Sequence, residues 1–517
     1  MVRYCALTNA YVYGTDYTTI VIKDNIIEDV GGDELVNKYR KVLDEVIDVD
    51  GRVVIPGLVD AHIHLFGIML SRRSVNLRNC KSIEELKSRI KRYARKVRKG
   101  EWIIGRGWDQ SLFKEKRFPT RWDLDEVTPD NPVLIIRVCG HVGVANSLAL
   151  KLAGITKDTP NPPDGVIHRD EDGELTGLLS EGALYLVRRI VPLPTIDEIK
   201  CGILEVLRDL ASYGITMVHS VSVTFDELKA LMELAKESSL PIRVRAYLDI
   251  DVFNKIYGKA SMNISEFLKI KGVKLFSDGS LGGRTAALRE PYSDDPGTSG
   301  IITISKDKLK YWLSRGRNEG FQVAVHAIGD RALEFVLNTS IEVGVSSPTL
   351  RIEHASVTPP DILDLLEKVN PIITIQPHFL VTDWWVPSRL GDRAKYAYMF
   401  RSMVERGLYV AGSSDSPVEP YNPWLSISAS MTRASLACIS GNEALTLEQA
   451  LNVYTLGGTR ASWEHGMYGR ISCGHFADLV VLEDDISTMS GYDLSATRIH
   501  MVMVDGKVVY SRGATRL

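Results

Sequence analysis

Seven short apolar runs, each rich in β-branched residues and each closing on polar ones, follow one another between residues 214 and 415. They are GITMVHS (214–220), PIRVRAYL (241–248), GVKLFSD (272–278), FQVAVHA (321–327), LRIEHA (350–355), PIITIQP (371–377) and LYVAGSSD (408–415). An eighth, RVVIPGLVDAHIHL (52–65), stands well ahead of them. Continuous apolar character suits strands buried on both faces. Helical patterns such as DELKALMELAKESS (226–239) and DILDLLEKV (361–369) lie between the runs. Strands alternating with helices predict βα units and a parallel sheet. Eight such units, in ~250 residues, close a TIM-type barrel. The expected fold class is α/β, with a (β/α)8 barrel over residues 52–69 and 211–465.

Half of the 517 residues must then lie elsewhere. Residues 1–51 and 466–517 read as short strands, for example YTTIVIKDNIIEDVG near the start and RIHMVMVDGKVVYSRG near the end. Two strand-rich ends flanking one barrel are expected to pair into a small composite β-sandwich. Residues 70–210 carry an amphipathic helix (83–97), strand-like EWIIGRGWD and PVLIIRVCG, and helical ALYLVRRIV. A connection this long with its own periodicity predicts an inserted α+β subdomain after the first barrel strand. Connections of that kind leave the C-terminal face of a barrel, where active sites are built. The insertion is expected to cover the site.

Composition narrows the partners. Lysine and arginine number 62 against 65 acidic residues, a formal charge of −3. That balance gives no footprint for nucleic acid or an anionic membrane. The basic run KRYARKVRK (91–99) alternates with apolar residues and reads as a solvated helix face. Six scattered cysteines form no CxxC spacing and read as reduced thiols, most of them buried. No signal peptide and no run of ~18 apolar residues is evident. The expectation is a cytoplasmic protein acting on a small-molecule substrate, with a homodimer as the default assembly.

Polar groups gather at the ends of the proposed strands. His62 and His64 close the first, Lys274 lies within the fourth, His326 and His354 end the fifth and sixth, and Asp415 ends the eighth. Side chains at i and i+2 of a strand share a face, so His62 and His64 can share one metal. Imidazole and carboxylate suit zinc and similar divalent ions. A lone strand histidine is more often structural, but four of them with an aspartate at strand ends predict a metal site. No GxSxG nucleophile elbow is present, which disfavours a serine hydrolase.

VVIPGLVDAHIHL, the separated His326 and His354, and Asp415 in GSSDSP resemble the amidohydrolase superfamily. GHFADLVVLEDD and VMVDGKVVY extend the resemblance to the split β domain. GRGWDQS, GHVGVANSLAL, KLFSDGSLGGRTAAL, VAVHAIGDRA and RIEHAS are similar to the subgroup containing N-substituted formamide deformylase. The resemblance implies one or two divalent metals, with His62 and His64 on one and His326 and His354 on the other. It implies that Asp415 binds the first and handles protons, and that Lys274 is carboxylated and bridges the two. The implied reaction is hydrolysis of a non-peptide carbon–nitrogen bond, of amide or N-formyl type, by activated hydroxide. Deamination of a cyclic amidine is the rival within the same chemistry, and a non-catalytic scaffold is the rival outside it.

Substrate contacts are expected from Trp108, Asp109 and His141 in the insertion, from Asp278 and Arg284 in the Gly-rich stretch after the fourth strand, and from Gln376 and His378 after the seventh. Each has a bland counterpart. Asp278 and Arg284 could pair with one another, and His141 could make a helix N-terminal contact. Trp384 and Trp385 read as pocket wall or helix core. Asp330 and Arg331 read as a buttress, and His219, His168, His465, His475 and His500 as structural.

Overall fold

The computed structural model describes residues 2–258, 261–433 and 443–513. The chain forms two compact units, Met1–Phe66 with Ile199–Leu517, and Gly67–Glu198.

The first unit holds eight parallel strands in sequence order: β1 (Leu58–Ile63), β2 (Ile215–Val223), β3 (Arg243–Leu248), β4 (Leu268–Phe276), β5 (Gln322–Ala327), β6 (Leu350–His354), β7 (Ile372–Ile375) and β8 (Tyr409–Gly412). Every residue of β1, β3, β6 and β7 is buried, as a sheet covered on both faces requires. Helices separate the strands and are stopped by local chemistry. Thr224 caps Phe225–Lys236 by accepting from the Glu227 N–H, and Ser305 caps Lys306–Glu319 in the same way. Gly320 ends the latter helix at φ 77°. β1 and β8 meet at the C-terminal end of the barrel. There the Asp415 N–H donates to the His62 carbonyl at 2.8 Å and the His64 N–H to the Ser416 carbonyl at 2.9 Å. The buried Asp60 carboxylate accepts from the His62 and Ser414 N–H groups, each at 3.1 Å.

Two strands differ from expectation. The run 52–65 is not one barrel strand. Val53–Pro56 joins a five-stranded sheet, and β1 begins only at Leu58. Gly57 lies at the break, where a Cβ would stand 2.1 Å from the Thr216 hydroxyl. β4 starts at Leu268, before the apolar run, because Lys269 and Lys271 reach Glu464 at 3.0 and 3.9 Å.

The two chain ends build two sheets. One has the order Ile26–Gly31, Thr19–Lys23, Tyr4–Thr8, Glu45–Asp48. The other runs Tyr11–Val12, Val53–Pro56, Leu479–Leu482, Ile499–Val504, Lys507–Ser511. A shared core that includes Leu7, Ile20, Val54, Leu479 and Met501 lies between them. Arg243 of β3, fully buried, donates to Asp478 at 2.7 and 3.0 Å and to Asp505 at 3.0 Å, tying barrel to sandwich.

The second unit is a six-stranded mixed sheet with helices, including Ile83–Ala94, which is capped by Ser82. One core contains Leu86, Ile103, Trp108 and Ile135, the other Leu134, Leu150, Leu179 and Leu184. The helix Ile196–Ala211, which the sequence assigned to the insertion, falls with the barrel from Ile199 onward, where it leads into β2. The expected architecture of barrel, composite β-sandwich and inserted α+β unit is the one observed.

Of the five cysteines described, only Cys5 and Cys80 are buried, which corrects the expectation that most would be. Cys139, Cys201 and Cys473 are exposed, and Cys438 lies outside the described residues. Among the described residues no helix is long and apolar enough to cross a membrane.

Candidate active site

Six residues from the ends of five strands, β1, β4, β5, β6 and β8, converge at the C-terminal mouth of the barrel. Ligand-type atoms of His62, His354 and Asp415 all lie within 4.8 Å of one another. His64 Nε2 is 3.2 Å and His62 Nε2 3.4 Å from Asp415 Oδ1. Lys274 Nζ is 3.5 Å from His62 Nε2. The His326 ring lies 4.4 Å from that of His354, centroid to centroid. The tightest group thus takes one member from each of the two expected histidine pairs.

Each imidazole has one nitrogen committed to an acceptor. His62 Nδ1 donates to Glu353 at 2.5 Å, and His64 Nδ1 to the Val221 carbonyl at 3.1 Å. His326 Nε2 donates to the Gly279 carbonyl at 2.8 Å, and His354 Nδ1 to Gln376 Oε1 at 2.7 Å. The Gln376 amide is oriented by its other end. The Ser413 hydroxyl donates to the Ile375 carbonyl, so it accepts the Gln376 Nε2–H at 2.9 Å and leaves Oε1 for His354. These bonds fix the tautomers, so the opposite nitrogen of every ring carries a lone pair. That is how metal-binding histidines are prepared.

Burial holds His62 and His326 down to about 4, with Lys274 adding to the effect, and holds His354 well below the ordinary imidazole value. These three rings are neutral at pH 7. Burial alone would raise Asp415, but His62, His64 and His354 hold it below the usual carboxylate range. Lys274, buried, is lowered to about 8 by desolvation, against the pull of Glu353 and Asp415. Two ligand-type residues have left-handed backbones, His354 at φ 80° and Asp415 at φ 56°. Such non-glycine conformations cost about 1–3 kcal/mol and gather at functional sites.

Glu353 and Arg351 went unassigned in the sequence, though both lie in RIEHAS. Arg351 Nε is 2.6 Å from Glu353 Oε1, and its Nη1 donates to His219 Nδ1 at 2.9 Å. His219 is therefore fully buried and structural. Burial pushes Glu353 up, but Arg351, His62 and Lys274 overcome this and keep it well below its ordinary value. Two charges at alternate positions of an apolar strand were the available signal.

The expected substrate contacts are largely engaged elsewhere. Asp278 accepts three backbone N–H groups, from Ala287, Ile328 and Gly329, at 2.9–3.1 Å. Arg284 pairs through two 3.1 Å bonds with Asp294, not with Asp278. Gln376 spends both amide ends on His354 and Ser413. Trp108 is wholly buried beside Phe113 and Phe118. Asp109 caps the turn Gln110–Leu112 and binds Arg137 at 2.9 Å. His141 is exposed, 3.1 Å from Glu181. His378 is held through Nδ1 by Glu419, a residue the sequence did not flag, whose other oxygen accepts from Thr382 at 2.7 Å. Trp384 is exposed and Trp385 partly buried against Arg389. Asp330 accepts from the Arg289 and Arg331 N–H groups, each at 2.9 Å, and Arg331 donates to the Gly300 carbonyl, as a buttress would. The remaining histidines bind locally, His168 to Ser180, His475 to Ser472 and His500 to Glu483, while His465 packs on Trp463.

A parallel barrel with prepared imidazoles and a carboxylate at its C-terminal mouth is the architecture of a metal-dependent hydrolase. The amidohydrolase family model matches residues 45–510, and the chain belongs to that family. It is 34% identical to an uncharacterized metal-dependent hydrolase from Pyrococcus horikoshii OT3 of solved structure, with a TM-score of 0.84, covering 94% of this chain and 99% of that one. The Bacillus subtilis protein YtcJ is 32% identical over 95% of this chain and 96% of its own. The N-substituted formamide deformylase of Arthrobacter pascens is 28% identical over 90% of each chain.

Proposed function

We propose that this protein hydrolyses a carbon–nitrogen bond outside linear peptides, in an amide or N-formyl group. The observation that carries the reading is the set of four imidazoles, each with one nitrogen tied to an acceptor and the other left with its lone pair, around Asp415. Similarity to a formamide deformylase supports the bond type. His62, His64, His326, His354 and Asp415 would hold one or two divalent ions, of which zinc best suits imidazole and carboxylate donors. A divalent ion there supplies Lewis acidity and a water that ionises near pH 7 instead of ~15.7.

Asp415 is the proton carrier. Its low basicity at rest keeps it ionised and able to accept the proton of the attacking water. It then delivers that proton to the leaving nitrogen, which cannot depart as an amide anion. Such proton transfer contributes ~10²- to 10⁴-fold. Lys274 is read as carboxylated: its neutral amine forms an N–C bond with carbon dioxide and releases a proton, giving an anionic oxygen donor. Burial supports this, because an ammonium among metal ligands has no lone pair and repels dications.

The test is a hydrolysis panel with zinc-loaded protein reconstituted in bicarbonate. Amine and formate or carboxylate release from N-substituted amides is the expected result. Ammonia release from cyclic amidines with no amide cleavage, or cleavage of esters alone, would overturn it.

A further inference from the structure

β4 closes on four buried residues, Gly272 excepted in size only, and then on Phe276, which is 49% exposed. Phe276 stands two residues beyond Lys274, so both side chains share a strand face. Lys274 Nζ lies 5.0 Å from the centre of the Phe276 ring, and the His326 ring is 5.4 Å from it, tilted by 40°. A large apolar ring is thus held half open at the edge of the candidate centre. A single exposed ring is ordinary on a protein surface; this one is set apart by its place against Lys274 and His326, where a ligand of the centre would meet it.

Charge in the adjoining loops is paired. Arg284, in the loop after β4, and Arg389, in the segment after β7, share Asp294, and Asp295 lies 4.0 Å from Arg284. Asp278 is saturated by backbone N–H groups. None of these offers an unpaired charge to a substrate carboxylate. Trp384 and Val418, in the loops after β7 and β8, are 73% and 50% exposed, so the same face carries further apolar surface.

We propose that Phe276 is the specificity wall of this site, and that the substrate is an uncharged amide with a flat aromatic group next to the scissile bond. The proposal rests on the hydrolase reading above. Aromatic rings pair in offset or edge-to-face contact at centroid distances of ~4.5–7 Å, which a ring bound beside Phe276 can reach.

The test is binding, which does not require turnover. Zinc-loaded wild type and Phe276→Ala are titrated calorimetrically with benzohydroxamate and acetohydroxamate, two chelators differing in the aromatic group. Intrinsic differences in chelation cancel when the ratio of the two affinities is compared between wild type and variant. Wild type should prefer benzohydroxamate, and that preference should fall about five- to tenfold in Phe276→Ala, with Phe276→Tyr retaining it. Zinc content and melting temperature check that the variant is folded. An unchanged ratio, or equal weakening of both ligands, overturns the wall. If neither hydroxamate binds zinc-loaded wild type, the metal-centre reading itself fails, and the wall with it.

Discussion

Nδ1 of His62 lies 2.5 Å from Oε2 of Glu353, a contact between side chains 291 residues apart in the chain. The carboxylate fixes the ring so that Nε2 faces Asp415, and it also neutralises Arg351 inside the barrel. Glu353→Gln is expected to weaken zinc affinity about 10- to 100-fold. It leaves the buried Arg351 without its counter-charge, a loss of about 3–5 kcal/mol in stability. Competition titration with a zinc chelator and thermal unfolding measure the two effects. A variant with wild-type zinc affinity would remove Glu353 from the site.

Asp415→Asn keeps the shape of the side chain and removes its ability to take a proton. The variant should fold and melt near wild type while turnover drops by ~10²- to 10⁴-fold. Activity within threefold of wild type would end the proton-carrier role.

Lys274 supplies a pH signature. Its amine is lowered to about 8 by burial, so at pH 7 roughly a tenth is neutral, against about one in 2,500 for an ordinary lysine at ~10.4. At a fixed concentration of dissolved ¹³CO2, the rate of carbamate formation in the metal-free protein, followed by NMR, should climb about tenfold per pH unit up to 8 and then level off. A rise continuing unbroken to pH 10 would mean an ordinary lysine. The sign for stability is also set. Between pH 8 and the unfolded value the folded apo protein binds fewer protons than the unfolded chain, so this group makes stability rise with pH across that window.

Arg243 is enclosed by Asp478, Asp505 and the rings of Phe267, Tyr468 and Phe476, 4.6–5.0 Å from its guanidinium. Asp478→Ala leaves most of that charge unanswered and should cost about 3–5 kcal/mol. Denaturant unfolding measures it. A change below about 1 kcal/mol would show that Asp505 and the rings suffice.

The sequence by itself determined the barrel, the two-ended β-sandwich and the positions that converge at the mouth. Strand periodicity and a polar residue at a strand end are local facts, readable wherever a βα unit repeats. It could not divide Val53–Pro56 from Leu58–Ile63, because the division depends on which strands each half pairs with, Val54 with Val481 and Leu58 with Ile215. It missed the first half of β4, because Lys269 and Lys271 read as solvent-facing until Glu464 meets them. It put Arg284 against substrate or Asp278, when Asp294 is its partner. Tertiary structure decided these cases because charge pairing and tautomer choice depend on which groups arrive across the fold. A histidine's usable nitrogen is set by its acceptor, and the acceptors of His62, His64, His326 and His354 all come from other barrel strands or the loops after them.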